Sequence, residues 1–352
     1  MRVALAFFTP DGAELAGRVA SLLEPENELK LGQFWGGAVV SLFDKNRERL
    51  KTWFSREFSL AEAVIVIGAT GIAVRMLDGL MRGKDNDPAV LVLDARGQFV
   101  IPLLSGHLGG ANRLAKELAL ALGAQAIITT ATDIQGVFAV DEWAVANDCA
   151  VIETGNIKII SAALLRGETV GFCSDFPVVG DIPPGLAQIS QDTGNFGAGV
   201  CLSLDTCRNP FAQTLHIVPR VAILGAGCRK NTSPERFESF VLETLASRSV
   251  SVKALKVLAS IDIKSEEPCM LAFAAKYGLD FRVFSATALQ GIPGTFAFSP
   301  FVQAQTGVGN VCERAAMAAL AGEAGQLVLP KTTGQGISLA LAIEGWQGKF
   351  KP

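Results

Sequence analysis

His107 is one of only two histidines in the 352-residue chain, and it stands inside SGHLGGAN, Ser105 to Asn112, with glycines on both sides. Imidazole is the side chain whose ordinary titration range lies nearest neutrality, so a histidine in such a setting can move a proton at physiological pH. Gly106, Gly109 and Gly110 remove bulk around the ring and let a ligand approach the backbone. Ser105 and Asn112 add neutral hydrogen-bonding groups. The plainer reading is a helix-capping turn whose histidine serves a carbonyl; the glycine setting favours chemistry. TTATD, Thr129 to Asp133, ends the next apolar run, so Thr129, Thr130 and Asp133 could face the same crevice as His107. Asp133 is open to three roles: orienting the imidazole, acting as a base, or capping the following helix.

Three further groups of residues suit anions. GATG, with Gly68, Thr70 and Gly71, offers backbone amides at a helix start, and Arg75 adds a cation one turn on. It could equally be a turn that needs glycine for geometry alone. GAGCRKNTSPE places Gly227, Cys228, Arg229 and Lys230 before a helix with Ser233 as N-cap and Pro234 at its first position, a setting for carboxylate or phosphate. The segment lacks the GK[ST] ending of a P-loop, and Lys230 stands where a dinucleotide fingerprint needs its third glycine. Asp262 and Lys264 follow another strand, where Glu266 and Glu267 suit the start of the next helix. Thr306 and Gly307 open a glycine turn entering a helix, and Lys331 is expected just after a strand.

The elements that must hold these residues alternate between apolar runs and helical patterns, which predicts an α/β fold with open, mostly parallel sheets. Strands are expected at Val3–Phe8, Val64–Ile67, Ala89–Leu93 and Ala126–Thr129, with helices at Asp11–Leu23, Lys45–Phe58, Ile72–Arg82 and Ala111–Leu122. The pattern then loosens, leaving helices near Asp133–Asn147 and Lys158–Arg166 and an exposed loop through SDFPVVGDIPPG. Asp205–Pro219, which contains the other histidine, His216, reads as a linker. A fresh α/β unit follows, with strands at Arg220–Gly227, Lys253–Leu258, Phe281–Phe284, Gln326–Leu329 and Ile337–Ile343. The expected division is an amino-terminal domain over 1–130, a small middle region over 131–215 and a carboxyl-terminal domain over 219–352.

Apolar residues form 49% of the chain and charged residues 18%, which excludes a disordered chain or a coiled coil. A formal charge of −3 gives no reason to expect nucleic acid. The seven cysteines form no CxxC pair and have no metal-ligand spacing, so they read as free thiols. The short apolar opening ends at a Pro-Asp-Gly turn and no window reaches a membrane span, so the expected location is the cytoplasm.

Taken together, GATGIAVRML, DPAVLVLDARGQFVIPLLSGHLGGANRLAKELA, GAQAIITTATD, GCRKNTSPE, IDIKSEEP, TGVGNVCERAAM and LPKTTGQG resemble the CbiG family of cobalt-precorrin-5A hydrolases of anaerobic cobalamin biosynthesis. The resemblance spans roughly Val64 to Ser338, and it implies a three-part chain whose carboxyl-terminal domain is like CobE. The implied reaction opens the ring-A δ-lactone of cobalt-precorrin-5A and releases the two-carbon meso-bridge fragment as acetaldehyde, giving cobalt-precorrin-5B. His107, with Asp133 and Ser105, would then supply the catalysis, His107 and the turn amides activating water and stabilising an oxyanion. The glycine-turn residues named above, with Asn112, Thr129, Thr130, Cys228, Arg229, Lys230, Asp262, Lys264, Thr306 and Lys331, would hold the carboxylate-bearing macrocycle. No protein cofactor or metal is implied, because the substrate carries the cobalt and its own electron sink. The resemblance leaves room for a homodimer and for transient contact with neighbouring pathway enzymes. Two rivals stand beside it: a non-catalytic corrinoid carrier and a nucleotide-dependent α/β enzyme, the latter disfavoured by the absent phosphate motifs.

Overall fold

AVIVI at Ala63–Ile67 and AVLVL at Ala89–Leu93 have no polar face, and both lie buried throughout at the centre of a sheet covered on two sides. The computed structural model describes residues 2–23, 39–44, 46–83, 86–189, 196–322 and 324–350. It divides into two compact units, Met1–Val145 and Ala146–Pro352.

In the first unit, β1 (Arg2–Phe7), β2 (Val39–Leu42), β3 (Ala63–Ile67), β4 (Ala89–Leu93), β5 (Phe99–Leu104) and β6 (Gln125–Ala126) form one sheet in the order β2-β1-β3-β4-β5-β6. All pairings are parallel except β4 with β5. Alternate residues feed opposite faces. Leu5, Ile65 and Leu91 pack with Leu15, Val19, Leu114 and Leu118, from α1 (Pro10–Leu23) and, further along, the helix Ala111–Leu122. Val64, Val66, Val90 and Val92 pack with Trp53, Phe54 and Phe58 of α2 (Leu50–Leu60). Each fully buried aliphatic side chain contributes roughly 1.5–3 kcal/mol.

Helix α3 (Thr70–Leu77) follows β3, and α4 (Ala111–Leu122) follows the SGHLGG turn. Lys45, the expected start of α2, lies outside the described residues. The strand expected over Ala126–Thr129 pairs only at Gln125–Ala126, because edge pairing with β5 ends there. The single helix expected over Asp133–Asn147 is two, α5 (Ala131–Gln135) and α6 (Val140–Ala146), broken at Gly136, whose φ of 63° ends the first.

The second unit holds two larger sheets. The first has the order β10-β8-β11-β12-β7, built from β7 (Cys149–Val151), β8 (Val170–Ser174), β10 (Leu186–Gln188), β11 (Ala198–Leu202) and β12 (Gln213–Pro219), with α7 (Ile157–Leu165) among its helices. Only the second half of the expected linker is a strand: β12 is almost wholly buried and paired on both sides. Flanking prolines hid the apolar run. His216 is tolerated there because its ring meets Glu153 Oε1 at 2.9 Å and the Arg208 carbonyl oxygen at 2.7 Å. The expected loop carries a short strand, β9 (Val178–Val179), paired with Gly348–Lys349 near the chain's end.

The other sheet runs β15-β14-β13-β17-β16, with β13 (Ala222–Cys228), β14 (Leu255–Ile261) and β15 (Asp280–Phe284) parallel and β16 (Gly325–Gly334) and β17 (Ile337–Glu344) an antiparallel hairpin. Helices α8 (Pro234–Ala246) and α9 (Pro268–Tyr277) cover one face; α10 (Ala286–Gln290), α11 (Pro300–Thr306) and α12 (Cys312–Ala318) lie in the remaining connections. Ser233 caps α8 as expected, its hydroxyl accepting from the Arg236 amide at 3.3 Å. No helix among the described residues is long and apolar enough to cross a membrane.

Candidate active site

The turn between β5 and α4 is tightly built. Ser105 sits in the left-handed region at φ 57°, and its carbonyl accepts from the Ala111 amide at 3.1 Å. Gly109 is required by space: a Cβ there would strike the Ser105 side chain and stand 2.9 Å from its carbonyl oxygen. Gly110 is required by its φ of 78°. The result is a fixed loop that carries His107 to the start of α4.

His107 is held from both sides. Nδ1 lies 3.1 Å and 3.2 Å from the two carboxylate oxygens of Asp141, and Nε2 lies 3.2 Å from Asp133 Oδ2. Glu142 Oε1 is 3.7 Å from Nε2, and Thr132 Oγ1 is 3.4 Å away. Asp133 also accepts from Asn112 Nδ2 at 2.9 Å and from Lys116 Nζ at 2.5 Å. Asn112 donates to Thr130 Oγ1 at 2.9 Å as well. Thus His107, Asp133, Asn112 and Thr130 do converge. The Asp133 carboxylate is thus engaged by His107, Asn112 and Lys116 together. The Ser105 hydroxyl is buried without a hydrogen-bond partner, and Thr129 is exposed.

The electrostatics set the protonation states. Burial opposes a charge on His107, but the hydrogen bond and charge of Asp141, the charge of Glu142 and the hydrogen bond of Asp133 outweigh it, and the ring is pushed up to about 9. Burial likewise opposes ionisation of Asp133, yet Lys116 and His107 hold its carboxyl below the usual range. Burial and the neighbouring aspartates raise Glu142 instead. The cluster thus sets an imidazolium beside a lowered Asp133 and a raised Glu142.

Gly68 stands apart at the end of β3, its amide donating to the Leu93 carbonyl at 2.8 Å. A Cβ there would come 2.9 Å from the exposed Phe8 ring, which would have to shift. Thr70 and Gly71 open α3, and Arg75 turns back on the Gly71 carbonyl at 3.3 Å.

In the second unit a cavity of about 910 Å³ opens at the carboxyl ends of β13 and β14. Gly227, Cys228, Arg229, Lys230, Lys264, Thr306 and Lys331 all line it, so the structure gathers seven predicted binding residues from four segments. Ile261, Ile263, Phe301, Val302, Val311 and Ile337 give it apolar walls. Its size is at the upper end for a small-molecule site. Asp262 is outside the lining and instead accepts from the Ile263 amide at 2.8 Å, closing a local turn. Gly307 ends α11 with φ 78°, and the turn it begins leads into α12 as expected. Lys331 lies within β16, which is longer than expected, and its amide is fixed by buried Glu313 at 2.7 Å.

Asp141, Glu142 and Lys116 escaped sequence reasoning, and Glu267 was read only as favouring a helix start, where it is the N-cap of α9. The one available signal was an Asp-Glu pair entering a helix soon after TTATD. Among the described residues, two groups bring three metal-type donors within 4.8 Å of one another: His107 with Asp133 and Glu142, and Cys228 with Glu267 and Cys269. In the first, the imidazolium and Lys116 already occupy the carboxylates.

Comparison with known proteins places both sites within spans matched by one family's models. The family described as Cobalamin synthesis G N-terminal matches residues 52–133, Cobalamin biosynthesis central region matches 138–219, and Cobalamin synthesis G C-terminus matches 222–342. The chain is 33% identical to the cobalt-precorrin-5A hydrolase of Salmonella typhimurium, covering 97% of each chain. It is 29% identical to that of Priestia megaterium, over 96% of this chain and 94% of the other. Protein CobE of a Sinorhizobium species is 31% identical over 34% of this chain and 78% of its own.

Proposed function

The chain belongs to the CbiG family of cobalamin biosynthesis proteins, and we propose that it is a hydrolase that opens the ring-A δ-lactone of cobalt-precorrin-5A and releases acetaldehyde, leaving cobalt-precorrin-5B. The observation that carries this reading is the relationship to a hydrolase named for that substrate over 97% of both chains. The matched spans include the His107 cluster and the cationic cavity alike.

The cavity suits the substrate's chemistry. A macrocycle bearing acetate and propionate arms needs apolar walls for its rings and cations for its carboxylates. Arg229, Lys230 and Lys331 supply the second, beside the isoleucine and phenylalanine walls.

The cluster suits the proton transfers. Water adds to the lactone carbonyl and gives up a proton; the ring oxygen then leaves, freeing the acetate arm and a hydroxyl on the meso carbon. Both nitrogens of His107 face carboxylates and the ring is protonated at neutral pH, so it is a donor rather than a base. Glu142, raised and about a third exposed, takes the proton. The imidazolium stabilises the developing oxyanion and returns a proton to the leaving oxygen. The freed hydroxyl then gives its proton to the now neutral imidazole, the carbon–carbon bond to the ring breaks, and the electron pair passes into the conjugated macrocycle as acetaldehyde departs.

The test is to incubate the purified protein with cobalt-precorrin-5A, follow acetaldehyde with coupled alcohol dehydrogenase and weigh the macrocycle by mass spectrometry. Many equivalents of acetaldehyde per protein, matched by loss of the fragment, support the hydrolase. Tight binding without acetaldehyde makes the chain a carrier and overturns the proposal.

A further inference from the structure

Seven cysteines with no metal-ligand spacing read as isolated thiols, but the fold brings Cys228 and Cys269 together across 41 residues, as it does Cys173 and Cys201 on adjacent strands. Cys228 ends β13 and lines the cavity; Cys269 lies in the first turn of α9, fully buried. Their sulfur atoms are 3.7 Å apart. Both are free thiols, not joined by a disulfide bond of ~2.05 Å. Two thiolates on one tetrahedral zinc, each at ~2.3 Å, stand about 3.8 Å apart. The observed separation is that edge.

Glu267 completes the set, with a carboxylate oxygen within 4.8 Å of both sulfurs. It is only 8% exposed and lines the same cavity. One of its oxygens accepts from Lys264 Nζ at 2.6 Å, while the other, Oε1, is buried with no hydrogen-bond partner. A buried carboxylate oxygen left unpaired is costly unless a ligand or water satisfies it. We propose that Cys228, Cys269 and Glu267 form a binding site for a thiophilic divalent cation such as Zn²⁺, set in the cavity wall.

Charge supports the assignment. Two thiolates and a carboxylate carry three negative charges, which a dication and the Lys264 ammonium neutralise together. Three protein ligands leave a fourth position, as in open zinc sites. Cys228 and Glu267 both border the cavity, so that position is directed to its contents, where a water or a ligand carboxylate can complete the coordination. Hard cations are poor candidates, because two of the three donors are sulfur. The inference concerns metal binding and does not depend on the identity of the molecule that fills the cavity.

The experiment strips the full-length protein with a chelator under reducing conditions, then titrates Zn²⁺ alone, and in parallel Co²⁺ as an optical probe. The expected result is one ion per chain, with a thiolate-to-cobalt charge-transfer band that Zn²⁺ abolishes. Cys228→Ser and Cys269→Ser should weaken binding by more than the 10–100-fold typical of outer-shell losses. Glu267→Gln should keep the sulfur band but bind more weakly, which covers the case of a cysteine variant that fails to fold. A wild-type protein that takes up no ion, a charge-transfer band unchanged in both cysteine variants, or a native Cys228–Cys269 disulfide would overturn the proposal.

Discussion

Replacing His107 by asparagine should remove a pH-dependent part of the first unit's stability. In the folded protein the ring is pushed up to about 9, against an ordinary value of 6.5. The folded state therefore holds its proton more tightly than the unfolded chain. The resulting stabilisation is fully present below pH 6.5 and disappears as pH rises through about 9. At 1.36 kcal/mol per unit the interval corresponds to roughly 3 kcal/mol. The side chain is 14% exposed, so water screens part of it, and ~1–2 kcal/mol is the expected effect. Urea denaturation of wild type and His107→Asn at about pH 6 and about pH 10 isolates the contribution by difference, because other groups cancel. With only two histidines in the chain, the ring resonances of His107 can be followed directly by NMR, the His216 signals being removed by substitution. Equal pH dependence in the two proteins, or a His107 ring that titrates at or below 6.5, would refute the ion-cluster reasoning.

Other residues give separable outcomes. Glu142→Gln should reduce acetaldehyde release by about 10²–10⁴-fold with little change in melting temperature, since the side chain is a third exposed; full turnover would place the base elsewhere. Arg229→Ala or Lys331→Ala should raise KM about 10-fold or more while leaving kcat nearly unchanged, as expected for charge-assisted contacts to substrate arms. The opposite split in steady-state kinetics would assign those cations to the chemistry. His216→Ala should cost roughly 1–3 kcal/mol in denaturation of the second unit, because Glu153 and the Arg208 carbonyl lose their partner. Acetaldehyde turnover per folded molecule should be unaffected by that change.

The parts legible in sequence were those with local causes. Continuous apolar runs announced β3 and β4, the Ser233-Pro234 cap announced α8, and the glycine spacing of SGHLGGAN announced a built turn. Pairing across the chain was not legible. β5 runs antiparallel beside β4 and contains Pro102, which obscured it as a strand, and β12 was masked by flanking prolines although it is a central strand. The same limit applies to the cluster. Asp133 was visible because its motif ends the segment after His107, whereas Asp141 and Glu142 reach the ring only because the helix breaks at Gly136. Cys228 and Cys269 show it again, since thiols far apart in sequence carry no spacing signal until two elements are packed side by side.

The most direct test of the account is acetaldehyde release from cobalt-precorrin-5A by wild type, His107→Ala and Glu142→Gln, measured side by side on proteins shown to be folded. The account predicts multiple turnovers by wild type and a loss of two orders of magnitude or more in both variants, on the scale of general acid–base catalysis. Wild-type turnover that survives in both variants would contradict it, and would move the chemistry away from the His107 cluster.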